Sequence, residues 1–71
     1  MSDRKREALL LRTIRVSALA ALRQHHTNAD REQLIERADA LLADLEEAVI
    51  RDGGSPEILA AIEQTRREIR E

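Results

Sequence analysis

Cysteine, phenylalanine, tyrosine and tryptophan are all missing from this 71-residue chain. Without cysteine there is no disulfide framework and no thiolate metal site, and the chain is indifferent to the redox state of its compartment. Without aromatics it lacks the stacking platforms on which single-stranded nucleic acid binders rely and the usual anchors of interface hot spots. No run approaches the roughly 20 apolar residues of a membrane span. Arg12 and Arg15 interrupt the apolar part of the first segment, so it does not read as a secretory leader. A cytoplasmic-type domain with no membrane partner is expected. Any core must come from Leu, Ile, Val and Ala, which favours close helix packing over a sheet. At this length one domain is expected over residues 1–71, near the size where folding buries only about 60% of the unfolded surface.

Three helices are legible from spacing and punctuation, so the expected fold class is an all-α three-helix bundle. The first runs over about residues 3–25, with Ser2 or Asp3 able to cap it. His25-His26-Thr27-Asn28 then breaks the pattern with poor helix formers. Thr27 or Asn28 can cap the second helix, expected over about 29–52, and Asp30 and Glu32 place negative charge in its first turn. A single continuous helix of about 50 residues through this break is the alternative. The second helix shows one apolar stripe, Leu34, Ala38, Leu41, Leu45 and Ala48, flanked by Ile35, Leu42 and Val49. Gly53-Gly54 stops it. Ser55-Pro56-Glu57 supplies cap, first-turn proline and first-turn acid for a third helix over about 56–70, with Ile58, Leu59, Ile62, Thr65 and Ile69 inward.

The first helix differs from the other two in carrying two apolar faces. At about 100° per residue, Leu10, Leu11, Ile14, Ala18, Ala21 and Leu22 form one stripe. Leu9, Thr13, Val16, Leu19 and Ala20 fall on nearly the opposite side, bordered by Arg12 and Arg23. A three-helix core requires one face per helix, so the second face needs another partner or a central position for the helix. Leu9, Thr13, Val16 and Ala20 recur at four, three and four residues, the spacing with which a helix enters a groove. Thr13 to Ser17 is also a weak helix-forming segment for mid-helix, which suggests selection for contact. The expected interface residues are therefore Leu9, Arg12, Thr13, Val16, Leu19, Ala20 and Arg23, turned to a partner protein or to a second copy of the chain.

Charge is segregated. Residues 1–26 hold six basic and two acidic side chains, residues 27–52 three and eight, and residues 53–71 three and four. A basic first helix invites phosphate contacts through Arg4, Lys5, Arg6, Arg12, Arg15 and Arg23. Simple complementarity with the acidic second helix explains it as well, and the acidic pI of 5.7 and the lack of aromatics favour that over nucleic acid. His25-His26 is the only constellation suggestive of chemistry or metal, and adjacent helical positions point about 100° apart, too far to chelate together. Neither histidine has a Ser or Asp at a spacing that specifies a triad. Gly53-Gly54 lacks the strand context of a phosphate loop. Neither an enzyme nor a cofactor is expected.

Gly53-Gly54-Ser55-Pro56-Glu57 followed by Ile58-Leu59-Ala60-Ala61-Ile62-Glu63 resembles the loop-and-helix idiom of computationally designed helical bundles. Asp30 to Ala38 and Leu41 to Glu47 are written in the same style, so the resemblance covers about residues 29–71. It implies a compact miniprotein with capped, strongly patterned helices, often made as a binding scaffold or assembly subunit. Eleven Arg against one Lys and the less regular first helix depart from that style. A target-facing surface imposed on the first helix would account for the second departure. The arginine excess equally fits a natural protein from a GC-rich bacterium. The stretch Leu45 to Gly54 with the short helix after it is similar to the helical-hairpin co-chaperones of type III secretion. That resemblance implies an adaptor that holds a partner by helix packing.

Overall fold

Thr27 is where the continuous-helix alternative ends. Its backbone is extended (φ −79°, ψ 144°), its Oγ1 accepts from the Asp30 backbone N–H at 3.3 Å, and its hydroxyl donates to Asp30 Oδ2 at 2.7 Å. This reciprocal pair resembles a capping box with aspartate at the third helical position. In the computed structural model, which describes residues 3–71, the chain forms α1 (Asp3–Gln24), α2 (Asn28–Arg51) and α3 (Pro56–Arg70). Met1 and Ser2 lie outside the described residues, and with Ser2 one of the two candidate caps of α1. All three helices pack against one another in an all-α three-helix bundle of 39 × 17 × 15 Å. The long dimension matches the 24-residue α2, about 36 Å at 1.5 Å per residue.

The other helix ends are held by equally local chemistry. Arg31 reaches back so that its Nη1 donates to the Leu22 carbonyl at 2.7 Å, satisfying an orphan acceptor at the end of α1. At the end of α2, Gly53 N–H donates to Ile50 O at 3.2 Å and Gly54 N–H to Val49 O at 2.8 Å. These two bonds make a Schellman motif. Gly53 and Gly54 have φ of 119° and 68°, a left-handed region that a side chain would strain. Pro56 then sits in the first turn of α3 behind Ser55, whose side chain makes no cap bond. Because Thr27 alone occupies the cap position, with Asn28 already helical, Thr27→Ala is expected to lower stability by about 1 kcal/mol. Asn28→Ala should change it far less. Chemical denaturation of the two variants checks this.

The core is built on one repeated spacing. Ala38, Leu42, Leu45 and Val49 of α2 are buried, as are Ile58, Ile62, Thr65 and Ile69 of α3. Both runs step by four, three and four. In α1 the inward run Glu7, Leu11, Ile14, Ala18 and Leu22 begins with the same steps. Two expectations are corrected here. The inward stripe of α2 is turned toward Leu42 and Val49, which are fully buried, and away from Leu41, which is 48% exposed. The physical reason is that α2 meets α1 along one edge and α3 along the other, so its buried centre lies between them. Leu10, expected inward on α1, is likewise nearly half exposed.

Two polar residues belong to the core. Thr65 Oγ1 donates to the Ala61 carbonyl at 2.8 Å, so the hydroxyl is satisfied within its own helix and the methyl packs inward. Glu7 is buried near the start of α1. Among the described residues no helix is long and apolar enough to cross a membrane.

A candidate protein-contact face on helix α1

The inward run of α1 fixes where its remaining side chains go. Two positions on from each inward residue lies a point about 200° around the helix, and there stand Leu9, Thr13, Val16 and Ala20, all exposed. Leu9 and Val16 keep 62% and 57% of their surface in contact with solvent. The outward run thus steps by four, three and four, as the three core runs do. Thr13 repeats the device of buried Thr65, since its Oγ1 donates to the Leu9 carbonyl at 2.9 Å. That leaves only its methyl to be covered. Leu19 departs from expectation: it is half-buried and packs against the core. It sits about 100° from both stripes, on the edge of α1 that meets α3.

The face continues past α1. Leu10 and Ser17 lie between the outward run and an open apolar groove of about 280 Å³, which Thr13, Ser17 and Ala21 line from α1 and Leu34, Arg37 and Leu41 from α2. Leu10 and Leu41, displaced from the core, are therefore members of one surface that spans α1 and the neighbouring edge of α2. Sequence periodicity alone pointed both inward. Ile50, the other large exposed apolar residue, stands nine positions and about 180° around α2 from Leu41, away from this surface.

Arg12 and Arg23 border the outward run as expected, both exposed, with Arg6 on the other side. Every exposed charge among the described side chains of α1 is basic, because its one described carboxylate, Glu7, is buried. Complementarity with acidic α2 does not account for Arg6, Arg12 and Arg23 among the described residues. Three interhelical ion pairs among the described residues run instead through α3: Arg15 Nε to Glu68 Oε2 at 2.8 Å, Arg66 Nη1 to Glu46 Oε2 at 3.6 Å, and Arg70 to Asp39. Arg6, Arg12 and Arg23 make no ion pair among the described residues.

A second groove, about 610 Å³ between α1 and α3, gathers Arg4, Lys5, Arg12 and Arg15 but also Glu57 and Glu68. Those carboxylates, one already paired with Arg15, make it a poor cradle for a phosphate backbone. His25 and His26 are exposed, with His25 Nδ1 at 3.9 Å from Asp30 Oδ2. Among the described residues no group of three His, Cys, Asp or Glu side chains could hold a metal ion. Comparison with protein-family models, with curated proteins and with solved structures finds no match.

Proposed function

We propose that this chain is a non-enzymatic interaction module that presents the outward face of α1, with the adjoining edge of α2, to a protein partner. The observation that carries this is the run Leu9, Thr13, Val16 and Ala20. It is apolar, exposed and spaced as the core runs are spaced, while α2 and α3 direct their corresponding runs inward. Single exposed apolar residues are ordinary on any surface, as Ile50 shows. A periodic row that merges with a groove is the arrangement that receives a helix. The capped, tightly patterned α2 and α3 then serve as the scaffold that holds α1 straight. This fits the resemblance to designed bundles, in which binding surfaces are carried on idealised supports.

The test is selection from a displayed library of 20-residue amphipathic helices against the wild-type chain. Enriched sequences are then rebound to Val16→Glu and to Ile50→Glu. A carboxylate at Val16 would be desolvated in the contact, whereas one at Ile50 would stay in water. Binding is expected to be lost with Val16→Glu and retained with Ile50→Glu. Enriched helices that bind all three proteins alike, or a library that yields none, would remove the proposal.

A further inference from the structure

Resting on that reading, the geometry points to a particular occupant: an amphipathic helix whose apolar stripe is flanked by carboxylates. Three features of the surface lead there. Its spacing repeats the four-three-four step by which this chain seats its own helices on one another, so the matching shape is a helix. Thr13 has its hydroxyl satisfied by the Leu9 carbonyl, as buried Thr65 has by Ala61, so covering Thr13 at the middle of the row with apolar side chains does not strand its donor. The row on α1 is flanked by basic charge, Arg12 and Arg23 along one edge and Arg6 at its N-terminal end on the other, and these three make no ion pair among the described residues. A partner helix with glutamates beside its apolar stripe would meet all of them.

A second copy of the chain fits less well. In an antiparallel pairing of two α1 helices the same edge of each helix meets its twin, which brings Arg12 and Arg23 against Arg12 and Arg23 with no carboxylate between them. Nucleic acid fits less well still, because the centre of the surface is apolar and presents no phosphate ligand.

Two synthetic helical peptides with the same leucine and alanine stripe, one flanked by glutamate and one by lysine, test this by calorimetric titration. The wild-type chain is expected to bind the glutamate peptide at least about tenfold more tightly at low salt, with the preference shrinking as ionic strength rises. Arg12→Glu with Arg23→Glu should reverse the order of the two peptides, and Arg12→Gln with Arg23→Gln should abolish the preference. All three residues of the test are exposed, and circular dichroism verifies that the variants fold. Equal affinity for both peptides, lost in Val16→Glu, would overturn the acidic partner and leave the interaction face standing. Binding of either peptide that ignores Val16→Glu would remove the face itself. Light scattering that shows the wild-type chain dimeric and Val16→Glu monomeric, with neither peptide bound, would assign the face to a second copy. Duplex RNA bound through Arg12 and Arg23, again without peptide binding, would assign it to nucleic acid.

Discussion

Leu42→Ala is expected to cost about 2–5 kcal/mol, whereas its neighbour Leu41→Ala should cost less than about 1 kcal/mol. The two substitutions remove the same atoms from adjacent positions of one helix. Leu42 is fully buried, among the largest side chains that no solvent reaches, so its truncation forfeits the whole transfer energy and leaves a cavity. Leu41 keeps 48% of its surface in water on the lip of the α1–α2 groove, where water fills the space a shorter side chain leaves. For a chain of this length the total stability is about 4–10 kcal/mol, so the first change removes a large share of it. Urea unfolding with a common slope for both variants measures the contrast. Equal losses at the two sites would mean that α2 is rotated about its axis by a few tens of degrees, enough to set the two side chains symmetrically about the core.

The contrast between Leu41 and Leu42 also marks how far periodicity reads a fold. Helix identity and ends were legible because they are local. Thr27, Gly53-Gly54 and Ser55-Pro56 act through their own backbone neighbours, and the three helices lie within one residue of where those signals place them. The rotation of each helix was less legible, because it depends on which two neighbours the helix touches. In α2 the stripes Leu34, Ala38, Leu41, Leu45 and Ala38, Leu42, Leu45, Val49 differ by a fraction of a turn, and only the position of α3 chooses between them. Leu10 and Leu19 on α1 exchange roles for the same reason, one at the α2 edge and exposed, the other at the α3 edge and packed.

Some features needed chemistry that runs against composition. Glu7 lies on the inward run by spacing, four residues before Leu11, yet glutamate is among the residue types least often buried. The Arg31 bond to the Leu22 carbonyl joins two helices across a turn and has no signature in the order of residues, although a basic side chain in the first turn of α2, where the dipole disfavours it, is a hint that it serves another helix. The outward row of α1 was legible in Leu9, Thr13, Val16 and Ala20, since a surplus of apolar periodicity needs no tertiary knowledge. Its extension onto Leu41 was hidden, because the spacing of Leu41 from Leu34, Ala38 and Leu45 is that of a core stripe.

Leu11→Asp is expected to unfold the chain, while Val16→Asp should leave its stability within about 1 kcal/mol of wild type. Both place the same carboxylate on α1, five positions apart and on opposite faces. Leu11 is buried between α1 and α3. Its loss gives up about 1.5–3 kcal/mol of apolar burial, and desolvating an unpaired carboxylate adds several kcal/mol more, together comparable to the whole stability. Aspartate is the sharper probe than glutamate at this depth, since a longer side chain could reach Arg12 or Arg15 in the adjoining groove. It is also sharper than a change at Ile14, which is only half-buried and could turn a charge toward solvent. At Val16 the carboxylate stands in water and displaces nothing from the core. Far-ultraviolet circular dichroism and thermal melts of the two variants, taken at low concentration, read the difference directly. Loss of structure in Val16→Asp would show that the outward row is held inside the fold, and with it the contact face would disappear. Retention of a cooperative melt by Leu11→Asp would show that the inward run has been placed on the wrong side of α1.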